Sequence, residues 1–312
     1  MLSWLLGSVF ISLFTGSVYV VASLGLTLTL AVVKLPNFAH AEFLTIGAYA
    51  GAVVSFLFPG NFALMSTAAF LLCAFIALII NTVVYSKLIS KRVTIYILVL
   101  ASFAVAQFVR YGVFVIASLT GLLSTAPDFP LTVIANVYTA QLTNAYLIAL
   151  VLSIGVSVIL ALFLNYTGTG RSMRAISDNS DLARVSGVKY TRVVNLMWII
   201  AGGLGGVGGV ILSTYTTVTP VMGFNLLLEI FAVVIIAGLT SFIGTIVGGY
   251  LVGFVEGTVM AVLNHYFGLA YTYQPLLPFA LIIIMLLFKP TGLAPNVALG
   301  AKLAKKLAGR KK

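Results

Sequence analysis

The stretch YTGTGRSMRAISDNSDLARVSGVKYTR, Tyr166 to Arg192, carries seven charged side chains, whereas the apolar runs flanking it, residues 144–165 and 193–213, carry none. A bilayer core takes roughly 20 apolar residues at 1.5 Å each to cross, and both runs have that length. The polar stretch is too short for a domain of its own. The chain therefore reads as crossing a membrane, making one charged loop and crossing back.

Moving outward in both directions, apolar runs recur near residues 5–33, 38–57, 62–85, 94–119, 226–239, 246–267 and 275–288. Together they predict an all-α, polytopic transmembrane helical bundle of about 8–10 spans, nine by direct count. A half-span around Pro36 would change that count by one. Of the 312 residues, 61% are hydrophobic and 7% charged, against roughly 25% charged in a soluble domain. Residues 1–293 read as a single membrane domain whose charged loop is 166–192, and residues 294–312 as a basic tail.

The net charge of +11 would raise the question of nucleic acid in a soluble protein. Its placement argues otherwise. Lys34, then Lys87, Lys91 and Arg92, then the 166–192 loop, then the tail form separate clusters between apolar runs, the pattern of cytoplasmic loops. Loops 120–143, 214–225 and 268–274 hold no Lys or Arg and are expected outside, which puts the C-terminus in the cytoplasm. The lipid bilayer, and no nucleic acid, is the expected surrounding. Cys73 is alone, and His40 and His265 are the only histidines, so no disulfide or clustered metal site is expected. No GxSxG, HExxH or GxxxxGK[ST] pattern occurs. Catalytic residues, a cofactor and a P-loop are therefore not expected in this chain.

Within the charged loop, Ser180 is a candidate N-cap, Asp181 puts negative charge in the first turn, Arg184 puts positive charge near the last, and Gly187 suits the left-handed position that ends a helix. The result is a surface helix of about two turns with apolar and small side chains at Leu182, Ala183 and Val185. So short a helix is unstable alone. It either docks on something or is part of a solvated loop that only sets topology.

Other polar residues lie inside apolar runs, where charge is costly. Asn37, His40 and Glu42 follow Pro36: Asn37 could cap a helix and Glu42 complement its dipole, while His40 either braces a break in the helix or contacts substrate. Glu229 reads as an interfacial anchor or a contact on a translocation path. Glu256 shares a helix face with Gly249, Gly253 and Gly257, which recur every four residues as a helix-packing stripe, and so points at a neighbouring helix or a cavity. Arg110 could snorkel, pair with a carboxylate or mark a span end. AGGLGGVGG, Ala201 to Gly209, sits inside a span and reads as packing rather than a nucleotide loop.

GRSMRAISDNSDLARVSGVKYTRV, Gly170 to Val193, resembles the cytoplasmic loop of permease subunits in branched-chain amino acid ABC importers. NFAHA, Asn37 to Ala41, is similar to that family's NFAHG motif and points to its H-type permease. FKPTGL, Phe288 to Leu293, and the run Gly223 to Gly257 resemble further family segments in the expected order. The resemblance implies a plasma-membrane importer subunit with a homologous second permease, two cytoplasmic ATP-binding subunits and an extracytoplasmic substrate-binding protein. It implies that Arg174, Asp178, Ser180, Asp181, Ala183, Arg184 and Gly187 form the ATPase-coupling loop. Urea or short amides are the alternative substrates, since permeases of this type import those too. An ion-coupled secondary transporter using Glu256 is the alternative class.

Overall fold

The computed structural model describes residues 2–137 and 140–293; the expected basic tail, 294–312, lies outside the described residues. Twelve α-helical segments follow one another: α1 (Leu2–Val33), α2 (His40–Leu57), α3 (Phe62–Ser90), α4 (Ile95–Leu119), α5 (Asn144–Tyr166), α6 (Gly168–Asp178), α7 (Ser180–Val185), α8 (Tyr190–Ser213), α9 (Met222–Asn225), α10 (Leu227–Ala237), α11 (Phe242–Phe267) and α12 (Leu276–Phe288). A short antiparallel hairpin, β1 (Val133–Val137) and β2 (Ala140–Thr143), lies in the α4–α5 loop. Among the described residues seven helices are long and apolar enough to cross a membrane, and α10 and α12 are shorter apolar helices. The protein is an all-α, multi-pass membrane bundle.

Nine apolar segments stand where the hydropathy put them, but α10 and α12 have 11 and 13 residues, roughly 16 and 20 Å of rise. Neither reaches across about 30 Å of hydrocarbon alone. α10 ends at Gly238 in the left-handed conformation, φ +99°, and α11 starts at Phe242, with Ser241 capping the Gly244 N–H. The chain therefore reverses within four residues.

Helix α8 is the centre, packed on α1, α2 and α3. Its glycines make that possible: a Cβ at Gly202 or Gly206 would strike α3 at Ala77, Cys73 and Ala69, and one at Gly209 would strike the Leu44 carbonyl of α2. The glycine-rich run is thus a packing surface. The second stripe works likewise, since Gly249, Gly253 and Gly257 of α11 lie against Val20, Gly16 and Ser12 of α1. Four-residue steps in opposite directions make an antiparallel small-residue seam. Helix α4 packs far less, burying only the stripe Leu98, Ser102, Ala106, Arg110 and Ala117.

Two of the loops without Lys or Arg meet at one end of the bundle. Thr125 and Val218 exchange backbone hydrogen bonds of 3.1 and 2.7 Å, so the α4–α5 and α8–α9 connections share a side, as their charge implied. The Gly60 N–H donates to the Asp128 carbonyl at 3.0 Å and puts the α2–α3 turn there too.

The charged loop holds two helices where sequence suggested one. α6 is amphipathic and buries Gly170, Met173 and Ile176 against the bundle. α7 follows, and its N-cap is Asn179, not Ser180: the Asn179 Oδ1 accepts from the Asp181 and Leu182 N–H groups at 3.1 and 3.0 Å. Asn and Ser are near-equal N-caps, and Asn179 stands one position earlier with an extended backbone. At the other end Gly187 has φ +85°. The Val188 N–H reaches the Ala183 carbonyl and the Gly187 N–H that of Arg184, both at 3.0 Å, the paired bonds of a Schellman stop.

Candidate functional site: a polar break inside the bundle

After Val33 the chain does not simply turn and leave. Residues 34–39 run back along α1, because the His40 Nε2–H donates to the Ala22 carbonyl at 2.8 Å, eleven residues and roughly 16 Å of helix before the end of α1. Helix α2 thus starts well inside the bundle. Irregular backbone at that depth requires protein cover, and Leu35, Asn37 and Ala39 are fully buried.

Side chains from three helices satisfy the exposed backbone. The Asn37 Oδ1 accepts the Ala39 N–H at 3.2 Å and the Tyr85 hydroxyl at 3.0 Å. The Ser102 hydroxyl of α4 accepts the Phe38 N–H at 3.2 Å and lies 3.3 Å from the Pro36 carbonyl, which shares the hydroxyl's one proton with the Val99 carbonyl at 2.8 Å. Tyr85 stacks on Trp198 of α8 with ring centroids 4.9 Å apart. Asn37 therefore braces the turn before α2 instead of capping its first-turn amides; the residue preceding the helix is Ala39, which makes no side-chain cap. His40 lies in the α1–α8 crossing, where a Cβ on Gly25 would meet its ring.

Two residues on, Glu42 is fully buried and paired with Arg110 of α4. Both Nε and Nη2 of Arg110 donate to the Glu42 Oε1, at 3.0 and 2.5 Å, and Nη1 donates to Gln107 at 3.2 Å. The Phe224 ring covers the guanidinium 3.7 Å from its centroid. The Glu42 Oε2 has no protein partner among the described residues. Arg110 thus neither snorkels nor ends a span; it is the counter-ion that lets α4 join the bundle.

A second short helix begins at the same depth. The Gly223 N–H of α9 donates to the Thr45 Oγ1 at 3.1 Å, and Gly223 packs on the Ala41 carbonyl. The Ser23 hydroxyl donates to the Ile230 carbonyl at 3.4 Å. The first turn of α10 therefore lies beside the middle of α1, and Glu229 in that turn is 7% exposed. It is not an interfacial anchor, because the α8–α9 connection carries the chain inward before α10 starts. The Glu256 Oε2 accepts the Tyr19 hydroxyl at 2.5 Å, so Glu256 faces α1 on the glycine side of α11. A π turn at Val255–Val259 sits at this point, as such turns often do at functional positions.

His40 and Glu256 thus contact the middle of α1 and the turn holding Glu229 lies beside it, with Asn37 and Glu42 flanking His40, where two helices start inside the bundle. Discontinuous helices that meet at mid-membrane are where transporters hold and gate what they carry. Sequence reading missed Tyr19, Tyr85, Ser102 and Phe224 as partners, since hydroxyls and aromatics in apolar runs give no local signal.

The residues of the charged loop lie apart, at the basic end. Arg174 ties α6 to α5 through the Asn165 Oδ1 at 2.9 Å, and Asp178 closes α6. Ala183 is 4% exposed and belongs to the core with Val193, Val194 and Met197, whereas Leu182 and Val185 are 64% and 87% exposed. α7 therefore turns its small residue inward and its two aliphatic residues outward.

A multi-pass membrane bundle with a buried charged break at its centre is the framework of a membrane permease. The chain matches the model of a family described as branched-chain amino acid transport system / permease component over residues 8–286, and it belongs to that family. It is 28% identical over 286 residues to a probable branched-chain amino acid transport permease protein LivH of Methanocaldococcus jannaschii, covering 88% of this chain and 87% of that one. To the high-affinity branched-chain amino acid transport system permease protein LivH of Escherichia coli it is 26% identical over 292 residues, with 89% and 91% covered. The BraD permease protein of Pseudomonas aeruginosa is likewise 26% identical, with 89% and 92% covered.

Proposed function

We propose that this chain is the membrane-spanning subunit of an ATP-driven importer for branched-chain amino acids in the plasma membrane, with its basic end and C-terminus in the cytoplasm. A homologous second permease, two cytoplasmic ATPases and an extracytoplasmic binding protein complete the assembly in this reading. The ATP site belongs to the partner subunits, and this chain needs no cofactor of its own.

The observation that carries the coupling is the outward pair Leu182 and Val185 on a helix capped at both ends. Two exposed aliphatic side chains on a rigid six-residue helix suit a groove on an ATPase. Movement of α7 would pass through Val188 and Lys189 directly into α8, whose Gly205 lies against Phe43 and His40. The polar break would thus feel the motion. Isolating the tagged chain gently from its native membrane and analysing its companions by mass spectrometry tests the assembly. P-loop ATPases and a related permease are expected; isolation of the chain alone under conditions that preserve comparable complexes would overturn the reading.

A further inference from the structure

Beside α7, at the basic end of the bundle, lies a cleft of about 760 Å³ formed by the end of α3, by α7 and by the start of α8. Arg92 and Arg184 both line it, with Ser90, Thr191 and Asn195, and one carboxylate, Asp181. Among the described residues neither guanidinium has a carboxylate within salt-bridge distance, the one such pair being Arg110 with Glu42. Arg184 is steadied over the Tyr190 ring at 3.9 Å. Asn195 is oriented by the Asn81 Nδ2, which donates to its Oδ1 at 2.8 Å, and this leaves the Asn195 amide N–H₂ as a donor at the cleft. Lys87 and Lys91 add positive charge on the same stretch. Ile89 and Val194 give the cleft an apolar side.

We propose that this cleft holds a phosphate ester between Arg92 and Arg184, and that its source is the headgroup of an anionic phospholipid. Guanidinium forks match phosphate oxygens in bidentate fashion, and basic pockets where spans meet the cytoplasm collect anionic headgroups. The mixed lining suits a headgroup whose glycerol end stays near apolar surface. A bound headgroup would also support α7, whose one buried residue is Ala183. The cleft shares Asp181 and Arg184 with the loop proposed to meet the ATPase, so headgroup binding is read directly and not through uptake.

The test is native mass spectrometry on the full chain, with whatever subunits accompany it, delipidated and titrated with phosphatidylglycerol or phosphatidylcholine, and separately with inorganic phosphate. Arg92→Gln is compared with wild type. Arg92→Gly serves as the second variant, because Arg92 has φ +53°, a conformation glycine takes without strain. Phosphatidylglycerol is expected to bind at least fivefold more weakly to both variants, with phosphatidylcholine unaffected. If inorganic phosphate alone shows that dependence on Arg92, the phosphate site stands and the lipid source is overturned. If no ligand responds to either variant, the proposal is wrong.

Discussion

Arg110 and Glu42 stand 68 positions apart in sequence and 2.5 Å apart in space. Removing one partner strands a buried charge, which costs on the order of 3–5 kcal/mol, whereas replacing both with apolar groups is close to neutral. Arg110→Met is therefore expected to lower the thermal midpoint of the detergent-solubilised protein sharply. The double variant with Glu42→Leu should recover most of the loss. Equal damage from the single and double variants would mean that the pair does not hold α4. Glu256 gives a milder case: Glu256→Gln keeps an oxygen to accept the Tyr19 hydroxyl, while Glu256→Leu leaves that hydroxyl unpaired at about 1–3 kcal/mol. Thermal unfolding should rank the variants in that order. The residue types and their places inside apolar runs were legible in sequence, but the pairings were not, because a single polar side chain in an apolar run does not name its partner on another helix.

At the scale of elements, α1 and α11 approach so closely that a Cβ at Gly253 would lie 2.5 Å from the Gly16 nitrogen and 2.6 Å from its Cα. Backbone cannot yield as a side-chain tip can. Gly253→Leu should force the helices apart and cost more than the usual 1–3 kcal/mol of overpacking, read as loss of folded protein in detergent. Gly112, with open space around its Cβ position, should accept Leu with little change. The four-residue glycine period announced this seam, and hydropathy announced all nine apolar segments. What hydropathy cannot report is depth: it does not say that α2 starts beside Ala22 or that α10 starts inside the bundle, since a half-span is as apolar as the end of a full one. α7 shows the same limit. Its length and its stop at Gly187 were readable, but the orientation of its faces depends on α8. Ala183→Glu therefore puts a charge into the core and should destabilise the chain itself, while Leu182→Asp and Val185→Asp should shift stability by no more than about 0.5 kcal/mol. Circular-dichroism melts of the three variants distinguish the faces.

For the whole molecule, the basic end and the polar break are joined by one helix, α8, which runs from Tyr190 beside α7 to the crossing with His40 and Phe43. A continuous helix packed through its glycines against three others moves as a unit. In the proposed importer an event at Leu182 and Val185 therefore reaches the break at the middle of α1 without any contact between the two. The most direct test is uptake of radiolabelled leucine into proteoliposomes holding the co-purified complex, its binding protein and internal ATP, comparing wild type with Leu182→Asp. ATP-dependent uptake by wild type and at least a tenfold loss in the variant are expected, with the permease still folded and inserted. Uptake that proceeds without ATP on an ion gradient, or that is unchanged by Leu182→Asp, would contradict coupling through α7 and α8.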